Sequence, residues 1–304
     1  MEKILRVHNV NDYAHYIGAP ELHPLVSVIH YDELEHCRHS LNNYDVYALF
    51  IGDEELEDLS YGQLQYVLQR HALMTVSPGQ IGGKTDTGEE IHTKGWALLF
   101  DTELLRDTEL GRRISGYTFF SYNISEALLL TDEQRQSIVN LLEQIRQELL
   151  HEEDVHTLRI VTSQIEQVLE LVARYYTQQL STSVKSTNSD LLPRFEHLLH
   201  QYYDHHLQQE NGLPTVKYCA QQLFLSPNYF GDLIRELTGG TASSHIRRFI
   251  LQRAQQLLQV RFRRAQGGER FQALRPFPLV LRQEDHGVQA VFSPGRQLHV
   301  RPPF

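Results

Sequence analysis

Residues 219–240 read CAQQLFLSPNYFGDLIRELTGG and divide into two short helices. Small or apolar residues recur at helical spacing in the first helix, at Val216, Cys219, Ala220 and Leu223. The small side chain of Ala220 lets a second helix approach closely, and the chain turns at Phe224 and Leu225. The spacing therefore predicts two helices joined by a tight turn.

The second helix has clear start and stop signals. Ser226 is a favourable N-cap, and Pro227 suits the first helical position, where its missing N–H costs nothing. The Gly239-Gly240 pair ends the helix. The predicted recognition-helix core is formed by Phe230, Leu233 and Ile234, continued by Leu237. The opposite face carries Asn228, Gly231, Asp232 and Arg235.

This arrangement is typical of a helix-turn-helix, in which outward residues of the second helix enter a major groove. We predict that residues 227–237 form the recognition helix. An Asn side chain can form two hydrogen bonds with adenine, and an Asp carboxylate can accept one from the amino group of cytosine. An Arg can bind guanine or a phosphate, and a Gly lets the helix come close to the DNA. The candidate base contacts are Asn228, Gly231, Asp232 and Arg235, and the candidate phosphate contacts are Ser226, Arg247 and Arg248. The alternative is an ordinary helical hairpin with a solvated polar face.

Charge is unevenly distributed along the chain. The whole sequence has 28 Lys or Arg against 38 Asp or Glu, a formal charge of -10. From residue 213 onward the count is 13 against 5, or +8, which leaves 15 against 33, or -18, before it. A basic end on an acidic body is typical of a protein that meets phosphate at that end. Only +3 of this balance lies in residues 213–259.

The remaining composition indicates a cytoplasmic protein without a membrane span. The two cysteines lie far apart, and no run reaches the roughly 18 apolar residues that a membrane helix needs. No Gly-rich phosphate loop, nucleophile elbow or His-Glu helix pair is present. The histidine-rich stretches 36–39 and 197–206 lack the partners of a metal site. We therefore expect no catalytic residues, no metal and no cofactor.

The spacing of hydrophobic residues divides the rest of the chain into a strand-rich part and a helical part. Residues 1–130 read as short strands, at 25–30, 45–52, 72–78 and 95–100, which predicts a small antiparallel barrel or sandwich. Thr131 and Gln134 form a capping box that begins an amphipathic helical pair over 131–180. This pair covers the barrel or also supplies a dimer interface. The Ser/Thr-rich residues 181–190 are the predicted linker, and residues 191–259 the DNA-binding domain.

Several motifs resemble those of AraC/XylS-type bacterial transcriptional regulators. The first helix-turn-helix of that family matches Ala220, Leu225-Ser226-Pro227, Tyr229-Phe230 and Thr238-Gly239. SSHIRRFILQRAQQLL (243–258) is similar to the family's linker helix. The stretch 59–83, with Pro78-Gly79-Gln80, and Gly95-Trp96 are similar to the cupin-like sensor region of one branch. The resemblance covers about residues 20–259.

The resemblance implies an α+β chain with an N-terminal cupin-like β-barrel, flanking helices and a C-terminal all-α helix-turn-helix domain. Double-stranded DNA is the expected partner, and a small-molecule effector and a second copy of the chain are candidate partners. Trp96, Tyr47 and Phe50 are candidates to line an effector pocket, with ordinary core packing as the alternative. His30 and His92 are the candidate ligands if the barrel were instead a cupin-type enzyme.

Residues 260–304 depart from the family, which continues with a second helix-turn-helix. Pro276 and Pro278 fall where its recognition helix is expected, and a proline inside a helix costs about 3 kcal/mol. The sequence predicts an irregular tail there. One hypothesis is a shifted reading frame, since codons for residues 283–287 displaced by one nucleotide can encode Lys-Lys-Ile-Thr-Gly. The alternative function is then a regulatory or ligand-binding protein with impaired DNA binding.

Overall fold

The computed structural model describes residues 4–35, 37–61, 64–186, 190–266, 280–284 and 287–291. The chain forms two compact units, Met1–Phe249 and Ile250–Phe304. Strands of the first unit in its described part are β1 (Ile4–Val7), β2 (Val26–His30), β3 (Cys37–Arg38), β4 (Leu41–Tyr44), β5 (Tyr47–Gly52), β6 (Leu56–Tyr61), β7 (Leu64–Leu68), β8 (Ala72–Val76), β9 (Ile81–Gly83), β10 (Glu90–Ile91), β11 (Gly95–Phe100) and β12 (Leu128–Leu129).

Helices of the first unit are α1 (Val10–Ile17), α2 (Glu109–Arg113), α3 (Asp132–Leu150), α4 (Thr157–Ser186), α5 (Leu191–Asp204), α6 (Gln208–Asn211), α7 (Val216–Gln222) and α8 (Pro227–Thr238). Helix α9 (Ala242–Gln266) begins in the first unit and ends in the second. The second unit also contains the hairpin of β13 (Val280–Glu284) and β14 (Gly287–Val291). The 3-10 turns Thr118–Ser121 and Ile124–Glu126 lie before α3.

Two five-stranded sheets form the β-rich part of the first unit. One has the order β12-β8-β5-β11-β2 and is antiparallel throughout. The other has the order β1-β4-β9-β6-β7, with β1 and β4 parallel. The predicted α+β class and the four predicted strand regions are confirmed. The structure corrects the predicted cupin-like barrel, because neither sheet closes on itself in the described part of the chain.

Strand β11 shows why these strands form layers. Its side chains alternate, with Trp96, Leu98 and Phe100 in the core shared with α3 and α4, and Ala97 and Leu99 in the core shared with α1. All six residues of β11 are buried, as in a central strand covered on both faces. The edge strands take part in the same packing, since α3 contacts β2 and α4 contacts β12. Helices α3 and α4 therefore cover one face of this sheet, and α1 packs on the other.

The helical pair α3 and α4 begins as the sequence predicts. Thr131 Oγ1 accepts the Gln134 N–H at 3.2 Å, and Gln134 Oε1 accepts the Thr131 N–H at 3.0 Å. The buried stripes of both helices pack against the sheet. Helix α4 continues to Ser186, inside the predicted linker, where the Thr182 hydroxyl bonds the Gln178 carbonyl at 2.9 Å. Residues 187–189 lie outside the described residues.

The predicted atypical tail is described only in part. Helix α9 extends to Gln266, and the β13-β14 hairpin follows in antiparallel register. The described residues of 260–304 include no helix-turn-helix, whereas Pro276 and Pro278 lie outside them. The reading-frame hypothesis stays a prediction. Among the described residues, no helix is both long enough and apolar enough to cross a bilayer.

Candidate nucleic-acid interface

Helices α7 and α8 begin and end where the sequence signals predict. Ser226 Oγ accepts the Tyr229 N–H at 3.3 Å, with Pro227 at the first helical position. Gly239 ends α8 at φ 69°, in the left-handed region, and its N–H bonds the Arg235 carbonyl at 2.8 Å. A side chain at this φ is strained, which explains the glycine.

The buried side of α8 packs against α5 and α7. Phe230, Leu233 and Ile234 are buried, as are Cys219 and Ala220 of α7. Ala220 is 0% exposed, which agrees with the close approach of the two helices. Burial raises the pKa of the Cys219 thiol to about 12, so this cysteine is held in the unreactive thiol form.

One stripe of α8 faces outward. Asn228 and Arg235 are exposed, and a Cβ added at Gly231 would meet no atom within 4 Å. The spacing of three and four residues places these positions on one helix face. Arg247 and Arg248 of α9 are also exposed. Five of the seven candidate DNA contacts are therefore accessible.

The other two candidate contacts are engaged within the first unit. The Asp232 carboxylate accepts the hydroxyls of Tyr122 at 2.6 Å and Thr118 at 2.8 Å, and it pairs with Arg235 at 2.9 Å. The Asp232 side chain is only 16% exposed. Ser226 donates its N–H at 2.6 Å and its hydroxyl at 2.5 Å to the Glu126 carboxylate.

Glu126 is a buried carboxylate at the start of α8. It also accepts the Asn123 N–H at 2.7 Å, and its residue is 3% exposed. Burial raises the pKa of Glu126, and the hydrogen bonds from Ser226 and Asn123 oppose that rise. A carboxylate at a helix N-terminus is also stabilised by the helix dipole.

Aromatic rings extend this contact along α8. Tyr229 meets Tyr122 edge-on, with ring centroids 5.1 Å apart. Burial raises the pKa of Tyr229 to about 12, while burial and the bond to Asp232 raise that of Tyr122 well above its usual range. Further along, the Ser181 hydroxyl of α4 donates to Glu236 at 2.6 Å. Residues 226, 229, 232 and 236 thus form one stripe of α8 in contact with the N-terminal region, hereafter the docked stripe.

No pattern in the sequence indicated the partners of the docked stripe. Thr118, Tyr122 and Glu126 lie about 100 residues before α8, in or between two short 3-10 turns without a periodic pattern. An acidic residue near a tyrosine in a loop is common. Only the folded arrangement brings these groups to the helix.

A separate cavity of about 150 Å³ lies among the strands. Its apolar lining includes Tyr13, Tyr44, Phe50 and Met74. Asn42 also lines it, is 1% exposed and has no hydrogen-bond partner for its Oδ1 among the described residues. A small ligand with an N–H or O–H donor would satisfy that oxygen.

Of the three predicted pocket aromatics, only Phe50 lines this cavity. Tyr47 stacks on Phe100 and Trp96 stacks on His30, both in the core shared with the helices. His30 Nδ1 lies 3.1 Å from Glu33, and His92 is exposed. The described geometry therefore gives these histidines no shared site.

No family model matches the sequence, and no curated protein matches it. Among solved structures, ToxT from Vibrio cholerae has 10% identity and a TM-score of 0.29, covering 73% of this chain and 98% of that one. The AraC-like transcriptional activator CuxR has 16% identity and a TM-score of 0.26, covering 69% and 67%. ToxT from Vibrio cholerae strain SCE256 bound to an unsaturated fatty acid has 12% identity and a TM-score of 0.19, covering 73% and 94%. Because these TM-scores are below 0.5, none of these likenesses decides the fold or function of this chain.

Proposed function

We propose that this chain is a cytoplasmic transcriptional regulator of AraC/XylS type that binds double-stranded DNA through α8. The proposal rests on one observation: a capped helix, braced by α7 and α5, presents Asn228, Gly231 and Arg235 on its outer face. A helix so held can enter a major groove with its N-terminal residues foremost. The motif resemblance of residues 219–240 to the family supports the same function.

Base and phosphate contacts divide between two helices. Asn228 and Arg235 carry the donors and acceptors that read base edges, and Gly231 leaves room for the DNA. Arg247 and Arg248 carry exposed charge on α9, where they would contact phosphate without reading sequence. Ser226 and Asp232 complete the proposed contact set once they leave their internal partners.

Binding of the full chain to DNA tests this function. The wild-type protein is titrated against DNA from upstream of its own gene and against a scrambled duplex of equal composition, from about 50 mM to about 200 mM salt. We expect a preference of about a hundredfold or more for the upstream DNA that persists at the higher salt. Equal binding to both duplexes that falls steeply with salt would contradict sequence-specific reading.

The cavity favours a second activity, the binding of a small-molecule effector. Its aromatic lining suits an apolar molecule, and the unpartnered Asn42 Oδ1 suits a donor on that molecule. Benzamide and related small aromatic amides are suitable probes, and a ligand that binds only the folded state raises the melting temperature. We expect this rise in the wild type and its loss in Asn42→Leu; an equal rise in both proteins would exclude the cavity. The predicted homodimer stays a prediction.

A further inference from the structure

We infer that residues 118–126 hold α8 in a state that cannot bind DNA, with Glu126 occupying the position of a DNA phosphate at the start of the helix. This inference rests on the proposed function and concerns its regulation. Its basis is that the same groups serve both purposes: Ser226 and Asp232, two of the proposed DNA contacts, are hydrogen-bonded inside the first unit.

Glu126 competes directly with phosphate. A helix N-terminus offers free N–H groups and a positive dipole end, which is where DNA phosphates commonly bind. Here the Ser226 N–H and hydroxyl both donate to one carboxylate, at 2.6 and 2.5 Å. Ser226 is 4% exposed, so a phosphate cannot reach these donors while Glu126 is in place.

Tyr122 and Thr118 restrain the second contact. Their hydroxyls both donate to Asp232 and leave its carboxylate facing the protein. An Asp that reads cytosine must accept from the base instead. In addition, Tyr229 lies against Tyr122 on the same stripe, so a duplex approaching from that side meets the N-terminal region.

The contact has the character of a reversible one. Its hydrogen bonds mainly join hydroxyls to carboxylates, whose groups water can satisfy after separation, and its apolar part is the packing of Tyr229 against the core. A space of about 270 Å³ lies beside it, bordered by Tyr122, Tyr176, Asp232 and Arg235. Polar and incompletely packed contacts within a chain separate more readily than apolar ones.

The cavity among the strands reaches this contact. Tyr122 and Asn123 line the cavity, while Tyr122 also bonds Asp232 and Asn123 also bonds Glu126. A molecule that filled this part of the cavity would lie against both residues. The docked stripe is thereby linked to the cavity through two adjacent residues.

Three variants test the inference in the full chain. Glu126→Ala removes the acceptor of the Ser226 N–H and hydroxyl in the docked state, whereas water can still satisfy these donors after release. The substitution therefore favours release of α8. The double variant Thr118→Val/Tyr122→Phe removes both hydroxyls from Asp232 and changes no charge. Glu109→Ala is the charge control for the first variant, because Glu109 pairs with Arg112 on α2 at the surface.

Two measurements distinguish release of α8 from a change in DNA binding. Amide hydrogen exchange at Ser226 and along the start of α8 reports release of the helix and needs no DNA. Titration with the upstream and scrambled duplexes reports specific binding. We expect both releasing variants to exchange faster at Ser226 and to bind upstream DNA about tenfold more tightly, a change of about 1.4 kcal/mol, with Glu109→Ala unchanged in both readouts.

Other results overturn the inference in distinguishable ways. Unchanged exchange in both releasing variants would show that these bonds do not hold α8. Faster exchange without tighter binding, in a wild type that does prefer upstream DNA, would show that docking does not inhibit. If neither the wild type nor any variant preferred upstream DNA, the proposed function would be wrong. Faster exchange would then show release of α8 but no regulation of DNA binding.

Discussion

The ring of Phe195 in α5 meets the ring of Phe230 in α8 edge-on, with centroids 5.0 Å apart and planes at 85°. Both residues are 0% exposed. Edge-to-face pairs add to the free energy gained by burial alone. This pair makes α5 part of the support of α8, so the helix-turn-helix depends on a helix that precedes it in sequence.

Replacing Phe230 by Ala should therefore destabilise this region strongly. The loss of a buried aromatic side chain costs about 3–5 kcal/mol, from lost burial and from the cavity left behind. Urea unfolding followed by circular dichroism measures the change. Phe224→Ala is the matched control, because Phe224 is 86% exposed and its truncation leaves no cavity. Equal losses in the two variants would show that the ring of Phe230 is not a packing centre.

Glycine at position 224 should make the protein more stable than alanine does. It lies in the turn between α7 and α8 at φ 60°, in the left-handed region, which costs an ordinary residue about 1–2 kcal/mol. Glycine removes that strain but has more freedom in the unfolded chain, by roughly 0.5–1 kcal/mol. We expect Phe224→Gly to gain about 0.5–1 kcal/mol in unfolding free energy, relative to Phe224→Ala, which keeps the strain. A Gly variant no more stable than the Ala variant would contradict this reasoning.

Local signals in the sequence predicted local structure well. The Ser226 cap, the Gly239 stop and the capping box of Thr131 and Gln134 all depend on neighbours within four residues, and each occurs as expected. The same holds for the strand Gly95–Phe100. Such features need no knowledge of the rest of the fold.

Long-range pairing was beyond the sequence pattern. Whether a sheet closes on itself distinguishes a barrel from layered sheets, and the run GWALLF fits either one. Likewise, nothing near Glu126 indicates that its carboxylate meets Ser226, 100 residues away. Both outcomes depend on which helices and turns cover a surface, and local periodicity does not encode that choice.

Acid should weaken the link between Glu33 and α3. The hydrogen bonds from Arg146, and then from His30, lower the pKa of Glu33 from 4.5 to about 2. Because the folded pKa is below the unfolded one, the stabilisation is fully present above 4.5 and is lost as pH falls toward 2. The stability difference between wild type and Arg146→Met should thus shrink as pH falls below 4.5. Urea midpoints across this range measure it.

A double-mutant cycle supplies the control for this titration. In a Glu33→Gln background the carboxyl that bonds Arg146 is gone and only the electrostatic influence of Glu143 on Arg146 remains. The effect of Arg146→Met should therefore vary much less with pH in that background. If the pH dependence persisted in that background, another group would be responsible. His30 and Asp32 are the other titratable groups beside Glu33, since His30 Nε2 lies 3.3 Å from Asp32.

Substitutions on α8 and α9 should affect DNA binding in different ways. Asn228→Ala removes a side chain proposed to read a base, so it should lose about 1–3 kcal/mol on the preferred site and relax specificity at one position. Asp232→Ala should also change base preference, and it additionally removes the acceptor of Tyr122. Arg247→Ala should weaken all sequences similarly and reduce the salt slope by about 1. Selection of bound duplexes from a randomised pool, with titrations across salt, measures both effects.

Among these positions Asn228 gives the clearest test of base reading, because it is exposed and is not part of the docked stripe. Lys217→Ala on α7 is the matched control: Lys217 is exposed too, and its removal tests whether any exposed polar change in the helix pair alters base preference. If Asn228→Ala and Asp232→Ala both kept the wild-type base preference, the proposed orientation of α8 in the groove would be wrong. If Arg247→Ala altered preference at a single base, α9 would be reading sequence as well as contacting phosphate.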